Sequence, residues 1–68
     1  MNATNMLDHQ KIILENISDD KQLFQKELEK SIKWLSPEDQ QKLYLWLKTK
    51  YWSSHKKIIL AAFDKVAA

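Results

Sequence analysis

Apolar residues recur along this chain at the three- and four-residue spacing that is typical of amphipathic helices. The spacing predicts four helices separated by short polar breaks, over residues 6–17, 20–35, 37–51 and 54–66. Glycine is absent, which disfavours the tight turns of β-hairpins because those turns usually need positive φ. We therefore predict an all-α fold, a compact bundle of four short helices that forms a single domain over residues 1–68, with residues 1–4 frayed.

Two polar residues interrupt the apolar stripes of the first two predicted helices. Gln10 lies inside the stripe of the first helix, and Ser31 lies inside the stripe of the second. Thr4 or Asn5 is the candidate N-cap of the first helix, and Ser18-Asp19-Asp20 supplies short acceptors for the second. The apolar members are Met6, Leu7, Ile13, Leu14 and Ile17 in the first helix, and Phe24, Leu28, Ile32 and Leu35 in the second.

The start of the third helix has the clearest local signal in the chain. In the run Ser36-Pro37-Glu38-Asp39, serine is a preferred N-cap and proline fits the first helical position. The two acids that follow complement the positive end of the helix dipole. We predict that a helix begins at Pro37 with Ser36 as its N-cap.

The boundary between the third and fourth helices depends on a change of phase, since no glycine or proline marks it. The third helix carries its apolar stripe on Leu43, Trp46, Leu47 and Tyr51, and the fourth carries its own on Ile59, Ala62, Phe63 and Val66. One straight helix would place these stripes roughly 100° apart, so both could not face one core. Ser53-Ser54 is the natural place for a break, although one bent helix would satisfy the same pattern.

The composition excludes several classes of chemistry. No cysteine is present, so the chain offers neither a disulfide nor a thiolate nucleophile, and the lack of glycine removes glycine-rich phosphate loops. His9 and His55 are the only histidines, and neither has an acid or a second histidine at ligand spacing. We therefore expect that the protein is not an enzyme, with no catalytic residue, no metal site and no cofactor.

Positive charge is concentrated in the C-terminal part of the chain. Residues 1–40 carry five lysines and eight acids, whereas residues 41–68 carry six lysines and one acid. Every cation is lysine, which lacks the planar donor fork that reads a phosphate or a base edge bidentately. The candidate anion-binding residues, which we call the basic corner, are Lys48, Lys50, Ser54, His55, Lys56 and Lys57.

The stretch from Leu43 to Trp52 carries more large apolar side chains than one core stripe needs. Aromatic side chains commonly anchor protein interfaces, because they bury much area at little entropic cost. The candidate partner-binding residues are therefore Tyr44, Trp46, Lys48 and Trp52, with the lysine spaced between two rings. The alternative is that this segment is the central helix of a small bundle and is covered on most sides.

These features predict a small cytoplasmic protein–protein interaction or regulatory module that self-associates, as a homodimer, through its aromatic-rich third helix. The alternative is a small nucleic-acid or phosphate-binding protein that uses the basic corner. The N-terminus lacks the features of a signal peptide, and the longest apolar run is Ile58 to Phe63. Because a membrane span needs roughly 18 apolar residues, we expect a cytoplasmic protein without membrane contact.

Overall fold

The computed structural model describes the backbone of residues 6–67 and the side chains of residues 6–65. Three α-helices occupy this range: α1 is Met6–Asn16, α2 is Lys21–Trp34 and α3 is Pro37–Ala67. The all-α class is confirmed, and the described residues contain no strand. The candidate caps Thr4 and Asn5 and the predicted frayed segment 1–4 lie outside the described residues.

The prediction of four separate helices is wrong, because the predicted third and fourth helices are two arms of α3. The helix does not end at Tyr51 but continues through Ser53-Ser54, and it leaves helical geometry at one residue, His55 (φ −124°, ψ 19°). No glycine or proline is present to end the helix there. A pair of serines is instead a common place for a helix to kink. The first arm therefore comprises residues 37–54 and the second arm residues 56–67.

The bend at His55 turns the two arms of α3 towards each other. The ring centroids of Tyr44 and Phe63 lie 5.1 Å apart, one on each arm. Nineteen residues of straight α-helix would separate their Cα atoms by about 28 Å. The bend thus lets both apolar stripes of α3 face one core. A straight helix could not do this, because the two stripes lie on different sides of its axis.

Polar side chains close the ends of the helices. The Asp20 carboxylate accepts a hydrogen bond from the Leu23 N–H (3.1 Å) and caps α2. The Ser36 hydroxyl accepts one from the Asp39 N–H (3.2 Å), so the predicted N-cap of α3 is confirmed. The Gln40 amide donates to the carbonyls of Ile32 (2.7 Å) and Leu35 (3.0 Å). This last contact satisfies the C-terminal end of α2 from the first turn of α3.

The core lies between α2 and the two arms of α3, with α1 packed alongside. The two polar residues that interrupt the predicted stripes are both buried, and the Ser31 hydroxyl donates to the Gln10 carbonyl oxygen over 2.7 Å. The buried apolar side chains are Leu7, Leu14, Phe24, Leu28, Ile32, Leu35, Leu43, Leu47, Ile59 and Ala62. Although α3 has 31 residues, neither it nor another described helix carries an apolar stretch that would span a bilayer.

Candidate protein-binding surface

The rotation of the first arm of α3 is set by its two fully buried leucines, Leu43 and Leu47. Side chains one position further along the helix lie about 100° around its axis, at the edge of the core. Tyr44 and Lys48 occupy these positions, and Trp52 continues the same row one turn later. The packing of the leucines therefore places this row between the core and the solvent.

Four side chains of this row form an aromatic–lysine stripe: Tyr44, Lys48, Trp52 and Lys56. The Lys48 Nζ lies 5.9 Å from the Tyr44 ring centroid and 5.5 Å from that of Trp52. The Lys56 Nζ lies 5.3 Å from the Trp52 ring centroid. Residues four apart are neighbours on a helix surface, so rings and ammonium groups alternate along the stripe. Contact with ring faces stabilises the ammonium groups in these positions.

The aromatic–lysine stripe combines accessible ring surface with uncompensated positive charge. Tyr44 and Trp52 are half-buried, with ring centroids 6.3 Å apart in an edge-to-face arrangement, and both lysines are exposed. The ion pairs of the described residues involve neither Lys48 nor Lys56. Leu45 is 56% exposed and lies about 20° from Trp52 around the helix, so it widens the apolar part of this face.

A groove of about 560 Å³ runs between the two arms of α3 and continues from the stripe. Its apolar wall includes Leu60, which is 42% exposed, and Phe63, whose ring meets Tyr44 edge to face. Tyr44 belongs to both the groove and the stripe, so the two features form one surface. The residues that line this arm groove are Pro37, Gln40, Gln41, Tyr44, Leu60, Phe63 and Asp64.

Trp46, the fourth predicted partner-binding residue, lies on a different side of α3. Its ring meets Tyr51 edge to face at 5.6 Å, and the Nζ atoms of Lys11 and Lys50 lie 5.7 and 5.5 Å from its centroid. Lys11 belongs to α1, so Trp46 faces the junction between α1 and α3. The structure therefore brings Tyr44, Lys48 and Trp52 together and separates Trp46 from them.

The structure brings four of the six residues of the predicted basic corner together and places Lys48 and Lys50 apart from them. Lys48 and Lys56 belong to the aromatic–lysine stripe, whereas Lys50 pairs with Glu15 of α1. Ser54, His55, Lys56 and Lys57 line one cleft of about 420 Å³ at the bend, together with Lys21, Ser53 and Ile58. This cleft lies at the bend inside α3, where His55 leaves helical geometry, and not at the capped start of α3 at Pro37.

The pairing of Lys50 with Glu15 has an electrostatic consequence. The hydrogen bond from the Lys50 ammonium to the Glu15 carboxylate raises the pKa of Lys50 above its ordinary value of 10.5. Both side chains are nearly half exposed, so the pair is partly screened by solvent. It connects α1 to the first arm of α3 and neutralises one of the two ammonium groups beside Trp46, the other being that of Lys11.

His55 and Ser54, the remaining members of the basic corner, make contacts within the protein. The His55 side chain is buried, with its ring centroid 4.7 Å from that of Phe24 and 5.3 Å from that of Tyr51. Since a carbonyl oxygen can only accept, His55 Nε2 carries a hydrogen and donates to the Ser18 carbonyl over 2.7 Å. Ser54 Oγ lies 2.6 Å from Nδ1. These contacts hold the bend of α3 against the α1–α2 turn.

Leu60 and Phe63 line the surface but are outside the predicted set of partner-binding residues. They reach Tyr44 only because α3 bends at His55, and no local sequence signal could have indicated that meeting. The separation of Trp46 from Trp52 could have been predicted from the sequence. Six residues of helix place their side chains about 120° apart around the axis. Trp34, which is 62% exposed, lies at the end of α2 and is not part of the stripe or the groove.

Within the described residues, no three histidine, aspartate or glutamate side chains are grouped so that they could hold a metal ion. Comparison of the chain with protein-family models, with curated proteins and with solved structures finds no match.

Proposed function

We propose that this chain is a small protein–protein interaction module that binds its partner through the aromatic–lysine stripe and the adjoining arm groove. One observation carries the proposal. The rings of Tyr44 and Trp52 are only partly buried in the folded chain and alternate with two lysines that have no carboxylate partner among the described residues. Tyrosine and tryptophan rings that keep some accessible surface are typical anchors of protein interfaces.

The surface offers the two parts that a protein interface needs. The arm groove supplies an apolar depression that could take one anchor side chain, and the stripe supplies a polar border of lysines. The inner faces of Tyr44, Trp52 and Phe63 pack against the core, so their positions are held by the fold before a partner arrives. Such preorganisation lowers the entropic cost of binding.

Self-association through this helix stays a prediction. A symmetric dimer with Tyr44 or Trp52 on its axis would bring Lys48 and Lys56 of two copies together, and like charges in an interface oppose binding. A dimer axis near Trp46 avoids part of this cost, because Lys50 is neutralised there by Glu15. Sedimentation of wild type and of Trp46→Ala and Trp52→Ala tests for a dimer and identifies the surface it uses.

The proposal is tested by selecting binders from displayed random peptides of about 16 residues, enough for about 24 Å of helix. We expect the selected peptides to lose at least tenfold in affinity for Trp52→Ala, the usual effect of removing an interface anchor. Trp34→Ala is the matched control, since Trp34 lies on α2 outside the surface. Thermal melts establish that both variants are folded. Peptides that bind Trp52→Ala as well as wild type would refute the proposed surface.

A second candidate function is the binding of nucleic acid or phosphate, and it is favoured by one observation. Lys21, Lys56 and Lys57 line one cleft, and Trp52 beside Lys56 could stack on a base. Two to four phosphate contacts would give a log–log salt slope of about −1.5 to −3.5. Titration of fluorescent single-stranded oligonucleotides at two salt concentrations measures the slope, and the variant Lys56→Ala/Lys57→Ala should flatten it. A salt-independent or absent signal removes this candidate.

A further inference from the structure

We infer that the partner of this surface is an acidic protein segment with an apolar anchor, in which the anchor fills the arm groove and carboxylates meet Lys48 and Lys56. The inference rests on the proposed function, which it extends from the binding surface to the chemistry of the partner. It combines three features of the described residues: unpaired lysines on the stripe, an apolar groove beside them, and a fixed spacing between the two.

The charges on the stripe favour a negatively charged partner. Lys48 and Lys56 lie over the rings of Tyr44 and Trp52, not beside carboxylates, so their positive charge is available to an incoming chain. By contrast, Lys50 pairs with Glu15, Lys42 with Glu38 and Lys65 with Glu29. The lysines left without an ion pair on α3 thus include the two that border the aromatic rings. Complementary charge steers a partner to such a surface and sets its register.

The arm groove favours a protein over a nucleic acid as the occupant. Tyr44, Leu60 and Phe63 supply apolar walls that suit an aliphatic or aromatic side chain. Asp64 lies at the groove and would repel a phosphate backbone that entered it. The lysines of the stripe present single point charges without the planar fork of arginine, which suits exposed carboxylates.

The spacing of the surface predicts how the partner is arranged. Lys48 lies one helical turn beyond Tyr44, about 6 Å along the first arm, and Trp52 lies about 12 Å beyond Tyr44 on the same arm. Lys56 lies past the bend, with its Nζ 5.3 Å from the Trp52 ring centroid. A helical partner aligned with this arm would place its apolar anchor at the groove. One carboxylate would then lie about four residues from that anchor and face Lys48, and a second, further along, would face Lys56 beside Trp52, on the side away from Asp64.

The test analyses the peptides selected from the random library on wild-type protein. We expect binders that join an apolar or aromatic residue to two or more carboxylates and that weaken with added salt. Lys48→Gln/Lys56→Gln should reduce their affinity about three- to tenfold, since exposed ion pairs contribute modestly. The matched control is Lys26→Gln/Lys33→Gln, which removes the same charge from the exposed side of α2 and should leave affinity unchanged.

Each contrary outcome identifies which statement fails. Binders that depend on Trp52 but lack carboxylates would overturn the acidic partner and leave the proposed function standing. A dimer that dissociates on Trp52→Ala in sedimentation would assign the surface to a second copy and overturn the acidic partner as well. Submicromolar binding of single-stranded oligonucleotides, lost in Lys48→Gln/Lys56→Gln, would assign it to nucleic acid. Selected binders that are all independent of Trp52 would overturn both the inference and the proposed function.

Discussion

Single polar side chains carry the connections between the helices of this small fold. Ser36 caps α3, Gln40 reaches back to the end of α2, and Gln10 meets Ser31 inside the core. Each contact supplies a hydrogen-bond partner to a helix end or to a buried side chain. In a chain of 68 residues, one such contact is a noticeable fraction of the free energy of unfolding.

The cap of α3 gives the first prediction. Ser36→Ala removes the acceptor for the Asp39 N–H and should lower the free energy of unfolding by about 1 kcal/mol. Ser53→Ala is the control, because Ser53 is exposed inside a helix and alanine is the better helix former there. Urea melts of the three proteins should separate Ser36→Ala from the other two. Superimposable curves for Ser36→Ala and wild type would contradict the cap.

The histidine at the bend gives the second prediction. His55→Phe keeps a ring against Phe24 and Tyr51 but removes the donor to the Ser18 carbonyl. We expect a loss of about 1–3 kcal/mol in the free energy of unfolding, the usual cost of leaving a polar group unsatisfied. His9→Phe, at an exposed position of α1, should be close to neutral. Equal stability of His55→Phe and wild type would show that the hydrogen bond does not stabilise the bend.

At the scale of elements, local signals determined the helix starts, whereas contacts distant in sequence determined the shape of α3. The start of α3 at Ser36-Pro37 could be predicted from the sequence, because the cap and the helix it begins are neighbours in the chain. The sequence predicted a break where the structure has a bend. The contact that stabilises the bend, from His55 to Ser18, joins residues 37 positions apart and leaves no local signal. The different sides of α3 taken by Trp46 and Trp52, about 120° apart, follow from helical rotation and could have been predicted from the sequence.

The contact between α2 and α3 gives the third prediction. Gln40→Ala leaves the Ile32 and Leu35 carbonyls without their side-chain donor and should cost about 1–2 kcal/mol. The neighbouring exposed residue offers a matched control, Gln41→Ala, which should change stability little. Hydrogen exchange should also show faster opening at the C-terminal turn of α2 in Gln40→Ala. If both variants behave alike, Gln40 does not hold the two helices together.

The ion pair between α1 and α3 gives the fourth prediction, and its sign follows from the raised pKa of Lys50. A lysine whose pKa is raised by folding stabilises the folded state while it is protonated. The stabilisation is present in full below pH 10.5 and disappears as the pH rises through the folded pKa, which lies above that value. Melts of wild type and Lys50→Gln should differ at neutral pH and converge in strong alkali, whereas Lys57→Gln should match wild type throughout. A difference that persists unchanged in strong alkali would contradict the ionic origin.

At the scale of the whole molecule, the fold is already closed around one core. Its accessible surface is 4583 Å², close to the roughly 4,500 Å² expected for a folded monomer of this mass. The chain therefore buries this core without a partner, and the partly buried rings of α3 keep some accessible surface. An interface of ordinary size would cover about 800 Å² of this surface, enough to include the stripe, Leu45 and the arm groove.

A charge exchange between the protein and a selected acidic peptide tests most directly that the aromatic–lysine stripe binds an acidic partner. Lys48→Glu/Lys56→Glu should lower the affinity for the peptide more than tenfold, because like charges then face each other. A peptide with its carboxylates replaced by lysines should bind the variant and not the wild type. Unchanged binding by the variant, or no recovery with the exchanged peptide, would contradict the account.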